Sequence, residues 1–330
     1  MRHPLRVVAA VAIAVLALAA ALTGCSTDSD KNVTRPLVVT STNVWGSVAQ
    51  AVVGEHGTVK ALYSSPDGDP HEFTPSAADS AQISDADVVL MNGAHYDQYL
   101  ADATKRTRTV AIVDAAALLG IESHEDDHDH DGHDHDDDHD HDGHDHDHGH
   151  THSADAPNEH VFYSLSAVRK AADKLADELA TKAPDHAADY RRNAAAFGVQ
   201  LDGLQAKLAA IAAKHRGARV AQTEPLGGYL LEAAGITDAA PPAFTNAVAN
   251  GQSPSAADRA KMDDLLTSKT VKALVYNTQS TDAVTDSVRA TAEKAGVPVV
   301  NFSESLPAGV TSYIDWQGKQ IDALAQALDK

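Results

Sequence analysis

The segment Leu37-Val38-Val39-Thr40-Ser41-Thr42 decides the fold, because it is a short, mostly β-branched run followed at once by residues 45–53, whose composition suits a helix. Three further strand-like runs follow in the same half of the chain, at residues 59–63, 87–92 and 109–113. Apolar strands that alternate with helical stretches are typical of βαβ units, in which the strands are parallel and buried. We therefore expect an α/β lobe built on a mostly parallel sheet.

The second half of the chain repeats this pattern after two helical segments. Residues 185–214 carry apolar side chains at spacings of three and four, which predicts one buried face of a helix about 45 Å long. The residues of this face are Tyr190, Ala194, Phe197, Leu201, Leu204, Leu208 and Ile211. Strand-like runs return at 219–223, 271–276 and 297–300, and a last helix is expected at 314–327. The prediction is an α/β fold of two lobes, each with a central mostly parallel sheet flanked by helices, joined by one long helix.

The chain is expected to divide into six consecutive parts. In chain order these are a signal peptide at 1–24, a lipid-anchored tether at 25–35, an N-terminal α/β lobe at 36–165 containing a disordered His/Asp-rich loop at 122–157, a helix at 166–184, the long linking helix at 185–215 and a C-terminal α/β lobe at 216–330. Ligands of such folds bind outside the carboxyl ends of the strands, so the binding residues are expected there.

Residues 1–24 have the features of a secretory signal. Two arginines precede an uncharged apolar run at 7–22, which is shorter than the about 20 residues that a membrane-spanning helix needs. The run ends in Leu22-Thr23-Gly24-Cys25, which resembles a bacterial lipobox and implies lipid attachment at Cys25, on the outer face of the cell membrane (the periplasmic side). The alternative is a plain signal peptide with an incidental cysteine. Because Cys25 is the only cysteine, an internal disulfide and a four-cysteine zinc site are excluded.

Residues 124–152 form a run of histidine and aspartate that holds twelve of the nineteen histidines. Without its twelve Asp and one Glu the net charge of −21 is only −8, a commonplace acidic surface that argues against nucleic-acid binding. The run has almost no apolar side chain, so we expect it to be disordered. Imidazole suits zinc, copper, nickel and cobalt, and we interpret the run as an auxiliary metal-collecting loop. The alternatives are a solvated acidic linker and a tract that binds any metal during purification. Its expected ligands are His128, His130, His133, His135, His139, His141, His144, His146, His148 and His150.

Outside that run, His71 lies in Asp69-Pro70-His71-Glu72-Phe73-Thr74-Pro75, a loop just after the second expected strand. With this motif, and with Ser41-Thr42-Asn43-Val44-Trp45-Gly46 at the start of the first helix, the chain resembles the metal-binding receptor lipoproteins of bacterial zinc and manganese ABC importers (the ZnuA/PsaA type). The resemblance extends over nearly the whole chain after the leader, including a His-rich insertion before a second ligand histidine. In that family the histidine of this motif binds the metal, which implies the same role for His71. The alternative is a solvated loop histidine.

The resemblance implies two further ligands. His160 lies in Asn158-Glu159-His160-Val161-Phe162, where the family usually has Asp-Pro-His, so Asn-Glu replaces Asp-Pro here. Glu224 lies after the first strand of the second lobe, where some relatives have histidine and others glutamate. The alternative for Glu224 is a cap of the helix that follows.

The fourth ligand is left open by the sequence. The manganese-type relatives have an aspartate a few residues beyond the strand at 271–276, so the resemblance makes Asp282 a candidate metal ligand, and a surface-loop aspartate is an equally good interpretation. Asn277, Gln279 or water could complete the shell, and His95 is a further candidate on another loop of the first lobe. Three histidines in polar helix-end or turn contexts are expected at the surface: His56, His186 and His215.

Two imidazoles with one or two carboxylates form a donor set that Zn²⁺ takes as a tetrahedron, whereas Mn²⁺ prefers more oxygen ligands. Together with the His-rich run this favours zinc as the bound ion, with Mn²⁺ and Fe²⁺ as the competitors. The resemblance implies a monomeric receptor that captures the ion between its lobes and delivers it to the permease of an ABC transporter.

Two rival functions have different sequence requirements. A secreted zinc hydrolase is disfavoured because the chain has neither a His-Glu-x-x-His helix nor a Gly-x-Ser-x-Gly turn, so we expect no enzyme. A surface zinc buffer or adhesin that never meets a permease would need the His-rich run but no organised cleft.

Overall fold

The structure, a computed structural model, describes residues 35–107, 110–121 and 157–330. The strands of the first lobe are β1 (Leu37–Thr42), β2 (Thr58–Tyr63), β3 (Val88–Met91) and β4 (Ala111–Asp114). They form one parallel sheet in the order β2-β1-β3-β4. All of β3 and most of β1 are buried, which explains why β3 is a continuous apolar run and why β1 begins with one, at residues 37–39.

The helices of the first lobe are α1 (Asn43–Val53), α2 (Ala77–Asp85) and α3 (Gln98–Lys105). α1 begins two residues before the predicted helix and buries Trp45 completely. α2 begins with a capping box in which Ser76 and Asp79 satisfy each other's backbone N–H groups. The strand expected at 109–113 is observed at Ala111–Asp114. These differences of one or two residues at element ends leave the predicted order unchanged.

Two helices, α4 (Leu165–Lys182) and α5 (Ala187–His215), connect the lobes. They are separated by a short 3₁₀ turn at Pro184–His186, where the proline starts a new segment. α5 has 29 residues and packs against α4 and α1. Its buried side chains include every residue of the predicted apolar face, namely Tyr190, Ala194, Phe197, Leu201, Leu204, Leu208 and Ile211.

The second lobe repeats the architecture of the first. Its strands are β5 (Arg219–Gln222), β6 (Thr237–Asp238), β7 (Leu274–Asn277) and β8 (Val299–Phe302), which form a parallel sheet in the order β6-β5-β7-β8. Its helices are α6 (Gly228–Ala233), α7 (Pro242–Ala249), α8 (Ala256–Thr267), α9 (Ala283–Ala295) and α10 (Tyr313–Leu328). α10 packs on α5, so the linking helix contributes to the core of both lobes. The predicted class, two parallel-sheet α/β lobes joined by a long helix, is confirmed.

Some of the sequence predictions fall on parts of the chain that the structure does not describe. The expected signal peptide, the lipidation site Cys25 and the metal-collecting histidines lie outside the described residues. Within the described ranges, no helix is both long and apolar enough to cross a lipid bilayer.

Candidate metal-binding site

Three side chains from both lobes, those of His71, His160 and Glu304, meet beside the carboxyl ends of the strands, and Glu224 lies next to them. His71 follows β2, Glu224 follows β5 and Glu304 follows β8, while His160 lies just before α4. One donor atom each from His71, His160 and Glu304 lies within 4.8 Å of the other two. The side chains therefore converge where the sequence predicts a ligand site, at the edge of each sheet.

The loop after β2 holds His71 through its backbone. Asp69 caps the 3₁₀ turn Pro70–Glu72, and its Oδ1 accepts a hydrogen bond from the backbone N–H of His71 at 2.8 Å. Pro70 at the first position of this turn fixes φ where a donor N–H would be unused. The ring of His71 contacts Tyr96 edge-on at 4.8 Å and has 22% of its side-chain surface exposed. This partly exposed ring lies at the rim of an otherwise buried site.

His160 is completely buried and is oriented by Asn158. Oδ1 of Asn158 accepts a hydrogen bond from the backbone N–H of His160 and lies 3.0 Å from its ring Nδ1. In the neutral ring this partner places the proton on Nδ1 and leaves the lone pair on Nε2. Nδ2 of Asn158 donates to the backbone carbonyl of Pro225 in the second lobe at 2.7 Å. Asn158 therefore supplies an acceptor to the histidine and a donor to the second lobe.

Glu304 is the acidic member of the cluster. Its Oε2 lies 3.1 Å from Nε2 of His71 and 3.6 Å from Nε2 of His160, and the side chain is fully buried. Tyr96 of the first lobe donates its hydroxyl to the same oxygen at 2.9 Å. The backbone N–H of Glu304 donates to Oε1 of Gln279 at 2.6 Å. The carboxylate is thus anchored to the second lobe by its backbone and directed towards donor groups of the first.

Asn277 connects the two glutamates of the site. Its Nδ2 donates to Oε1 of Glu304 at 2.7 Å and makes a very short contact with Oε1 of Glu224. Its own Oδ1 accepts from the backbone N–H of Gln279 at 2.9 Å, which fixes the amide orientation. Glu224 makes no side-chain cap of the turn Pro225–Gly227 that follows it. The carboxylate of Glu224 is instead buried beside Glu304.

The donor atoms that face this cluster lack other partners. Nε2 of His71, Nε2 of His160 and Oε2 of Glu224 are buried, and none makes a hydrogen bond to a described residue. Buried polar atoms are nearly always paired, so the two unpaired imidazole nitrogens that face Glu304, with the unpaired Glu224 oxygen of the neighbouring carboxylate, indicate a ligand. In tetrahedral zinc with bonds of about 2.0–2.2 Å, neighbouring ligand atoms are about 3.3 Å apart. The observed separations of 3.1 and 3.6 Å bracket that spacing, and the residues fit a divalent transition metal.

The pKa values of the groups in the site depend on two effects. Burial favours the neutral form of each group, whereas a nearby opposite charge favours the charged form. Burial alone lowers the pKa of His71, yet the charges of Glu304 and neighbouring acids raise that pKa well above its usual value, and the pKa of His160 is raised for the same reason. Burial raises the pKa of Glu304, but His71 and His160 together hold it well below its usual value. Burial beside the Glu304 carboxylate raises the pKa of Glu224 to about 8. Without a cation, the site therefore holds protons that a metal must displace.

Other residues expected near the site have different roles. Asp282 is exposed and forms the N-cap of α9, where its Oδ1 accepts from the backbone N–H groups of Val284 and Thr285 at 2.9 and 2.7 Å. The structure therefore does not bring Asp282 into the cluster, and Glu304 stands there instead. His95 is exposed on a loop with positive φ. Gln279 supports the backbone of Glu304, as described above.

A second group of potential ligands has the wrong geometry for an ion. Donor atoms of His56, His186 and Asp189 lie within 4.8 Å of one another. The two imidazoles are stacked, with centroids 3.9 Å apart and planes 14° apart, so their in-plane lone pairs cannot both point at one cation. Arg192 already binds the Asp189 carboxylate at 2.6 Å. We assign a surface ion-pair cluster, and His215 similarly pairs with Asp329 at 2.7 Å.

Glu304 is the member of the cluster that sequence reasoning missed. A signal was present, because Glu304 stands two residues beyond β8, at the carboxyl end of a parallel strand. The rule that ligands lie at these ends applies to β8 as it does to β2 and β5.

Comparison with known proteins places this chain among metal-binding proteins of bacterial uptake systems. The sequence model of the family described as "Zinc-uptake complex component A periplasmic" matches residues 38–327. The manganese-binding lipoprotein MntA of Halalkalibacterium halodurans is 26% identical over 51% of this chain and 47% of its own length. The zinc-binding lipoprotein AdcA of Streptococcus pneumoniae is 25% identical over 94% of this chain. The chain spans about half of the length of these two relatives, 47% and 59% respectively.

Two further similarities cover nearly whole chains. The high-affinity zinc uptake system protein ZnuA of Bacillus subtilis is 26% identical over 88% of this chain and 87% of its own. The periplasmic zinc-binding protein TroA of Treponema pallidum has the same fold, with a TM-score of 0.66 at 19% identity over 89% of this chain and 99% of TroA. The match of the family over residues 38–327 includes both lobes and all four residues of the candidate site. The chain belongs to the family of periplasmic zinc-uptake components of the ZnuA type.

Proposed function

We propose that this protein captures one divalent transition metal ion, Zn²⁺ in preference to Mn²⁺, between its two lobes and delivers it to the membrane permease of an ABC importer. One observation carries the proposal: Nε2 of His71 and Nε2 of His160 are buried, lack hydrogen-bond partners and face one carboxylate, that of Glu304. We assign the metal to these three residues and to Glu224. Membership of the family also confirms the prediction that the chain is a solute-binding protein and not an enzyme.

The choice of zinc rests on the chemistry of the donors. Two imidazole nitrogens and two carboxylates form a set that Zn²⁺ accepts at four-coordination, whereas Mn²⁺ prefers an oxygen-rich octahedron. For a fixed set of ligands Zn²⁺ also binds more tightly than Mn²⁺. Some relatives are named for zinc and others for manganese, so their names do not decide between the two ions. The preference for Zn²⁺ over Mn²⁺ is argued from the donor atoms of this chain. None of the relatives described above is named for iron.

The proposed cellular setting follows from the leader and from the His/Asp-rich run. Lipid on Cys25 would hold a monomeric protein at the outer face of the cell membrane, close to the permease. Relatives named as lipoproteins are consistent with such an anchor. Residues 124–152 would collect metal at many weak sites and pass it to the site between the lobes, because His160 lies only a few residues after that run.

The test is a metal titration in competition with a strong chelator, so that weak sites stay empty. The parent protein is expected to hold one Zn²⁺ per chain, and His71→Ala is expected to lower that affinity at least about tenfold, in line with the cost of losing even an indirect partner. The matched control is His95→Ala, an exposed histidine of the same lobe. Equal affinity of His71→Ala and the parent would contradict the assignment.

A surface zinc buffer is the second candidate, since the His/Asp-rich run alone would suffice for it. Deletion of residues 124–152 separates the two functions. The receptor retains one tight site after the deletion, whereas a buffer loses nearly all of its bound metal. Delivery is tested in cells under zinc limitation, where His71→Ala and Cys25→Ser strains are expected to take up less zinc than the parent strain.

A further inference from the structure

The amide of Asn277 contacts both carboxylates of the site, and this contact constrains how the carboxylates can bind a metal. The two protons of Nδ2 are shared between Oε1 of Glu224 and Oε1 of Glu304. Asn277 is itself buried, with 1% of its surface exposed, and stands at the end of β7. Oδ1 of Asn277 accepts a hydrogen bond from the backbone N–H of Gln279. If the amide were turned over, its NH₂ group would face that N–H, and two donors would meet. The direction of the two hydrogen bonds is therefore fixed.

We propose that Asn277 sets the metal preference of the site by holding each glutamate to one-oxygen coordination, an inference that rests on the proposed function. With both Oε1 atoms bound to the amide, each carboxylate presents only Oε2 to a cation. Oε2 of Glu224 has no hydrogen-bond partner among the described residues, and Oε2 of Glu304 faces both histidines while it accepts the hydroxyl of Tyr96. The site then supplies four single donor atoms: two Nε2 nitrogens and two Oε2 oxygens.

Four single donors favour Zn²⁺, because it is commonly four-coordinate and tetrahedral in closed protein sites. Mn²⁺ gains from extra oxygen ligands, and Oε1 of each glutamate would supply one if both carboxylates bound through both of their oxygens. Asn277 binds both Oε1 atoms through hydrogen bonds and so keeps them from the metal. It touches the carboxylates through its side chain and contributes no donor to the metal, so it acts as a positioning residue.

The experiment replaces the amide with an apolar group of similar size. Asn277→Leu removes both hydrogen bonds and frees both Oε1 atoms. The matched control is Asn43→Leu, because Asn43 is likewise fixed by its amide, which donates to and accepts from the backbone of Leu306, yet it makes no hydrogen bond to a carboxylate of the site. The dissociation constants of Zn²⁺ and Mn²⁺ are measured by chelator competition for the full chain in all three forms.

The ratio of the Mn²⁺ to the Zn²⁺ dissociation constant is expected to fall at least about tenfold in Asn277→Leu and to stay within about twofold of the parent in Asn43→Leu. X-ray absorption of the Mn²⁺-loaded forms is expected to report more oxygen ligands in Asn277→Leu than in the parent. A change of both constants by the same factor, or an unchanged number of ligands, would overturn the proposal, because Asn277 would then be a purely structural residue.

A second variant covers the case in which Asn277→Leu does not fold, as judged by thermal unfolding. Asn277→Ser keeps one hydroxyl donor and can satisfy only one glutamate, so a smaller fall of the same ratio is expected. An unchanged ratio in Asn277→Ser would equally refute the role of the amide. A parent protein that binds neither ion tightly would instead refute the proposed function, and the parent measurement reveals that outcome before any variant is compared.

Discussion

Tyr96 of the first lobe donates its hydroxyl to Oε2 of Glu304 in the second lobe at a distance of 2.9 Å. The same oxygen faces Nε2 of His71 and Nε2 of His160, so one carboxylate oxygen joins groups from both lobes. Both Tyr96 and Glu304 are buried, and this hydrogen bond fixes the direction in which the carboxylate can approach a cation.

Replacement of Tyr96 by phenylalanine is expected to weaken metal binding. The variant removes one hydrogen bond from a buried carboxylate and leaves Glu304 free to turn, and losses of this kind typically cost about 10–100-fold in affinity. Zn²⁺ titration under chelator competition measures the effect. Tyr99→Phe is the control, because the Tyr99 hydroxyl donates to the backbone carbonyl of Ser41 and not to the site. Equal losses in the two variants would contradict a specific role for Tyr96.

Metal binding is expected to release protons near neutral pH. The pKa values of His71 and His160 are raised by nearby acids, and burial beside Glu304 raises the pKa of Glu224 to about 8. The raised pKa values mean that these groups keep their protons to a higher pH than usual and must lose them to bind a cation, so affinity rises with pH and falls in acid. Calorimetry in two buffers of different ionisation enthalpy measures the protons released. Identical heats in both buffers would contradict the protonated metal-free site.

The fold was predictable because its signals are local. The β-branched runs of β1 and β3 and the three-and-four spacing along α5 identify each element within its own residues. Element ends were less well placed, as at β4, because the final hydrogen bonds depend on neighbouring strands.

The candidate site was predictable only in part. The loop motif around His71 lies within a few residues, whereas the contact of Glu304 with His71 spans more than 200 residues and exists only after both lobes have folded. The candidate Asp282 came from the resemblance to manganese-type relatives, which have an aspartate a few residues beyond the strand that is β7 here. The local pattern already favoured a helix cap there, since an aspartate is followed by a helical run with a threonine at its third position.

The hydrogen bonds of Asn158 predict a graded response to substitution. Asn158→Ala removes the acceptor beside Nδ1 of His160 and is expected to lower Zn²⁺ affinity about 10–100-fold. Asn158→Asp retains an acceptor but loses the donor to the carbonyl of Pro225, so its affinity is expected to lie closer to that of the parent. The control is Tyr229→Phe, which removes only the hydroxyl bond to the backbone carbonyl of Asn158. Equal losses in the alanine and aspartate variants would show that the acceptor does not orient His160.

A comparison of Glu304 with Asp282 tests the ligand assignment most directly, because Asp282 was a candidate for the open fourth position and the structure places Glu304 in the site. Glu304→Gln keeps the size of the side chain and removes its charge. We expect it to weaken Zn²⁺ binding more than about 100-fold, beyond the usual cost of losing an indirect partner. Thermal unfolding of the metal-free variant checks that it is folded.

Asp282→Ala is expected to lower the stability of the protein and to leave Zn²⁺ binding unchanged. The variant removes the N-cap of α9 and should lower the free energy of unfolding by about 1 kcal/mol, the typical cost of a lost cap. Its Zn²⁺ affinity should equal that of the parent, because the exposed carboxylate accepts backbone N–H groups of α9 and lies outside the cluster. A large loss of affinity in Asp282→Ala together with parent-like binding in Glu304→Gln would reverse the assignment and restore Asp282 as the fourth ligand.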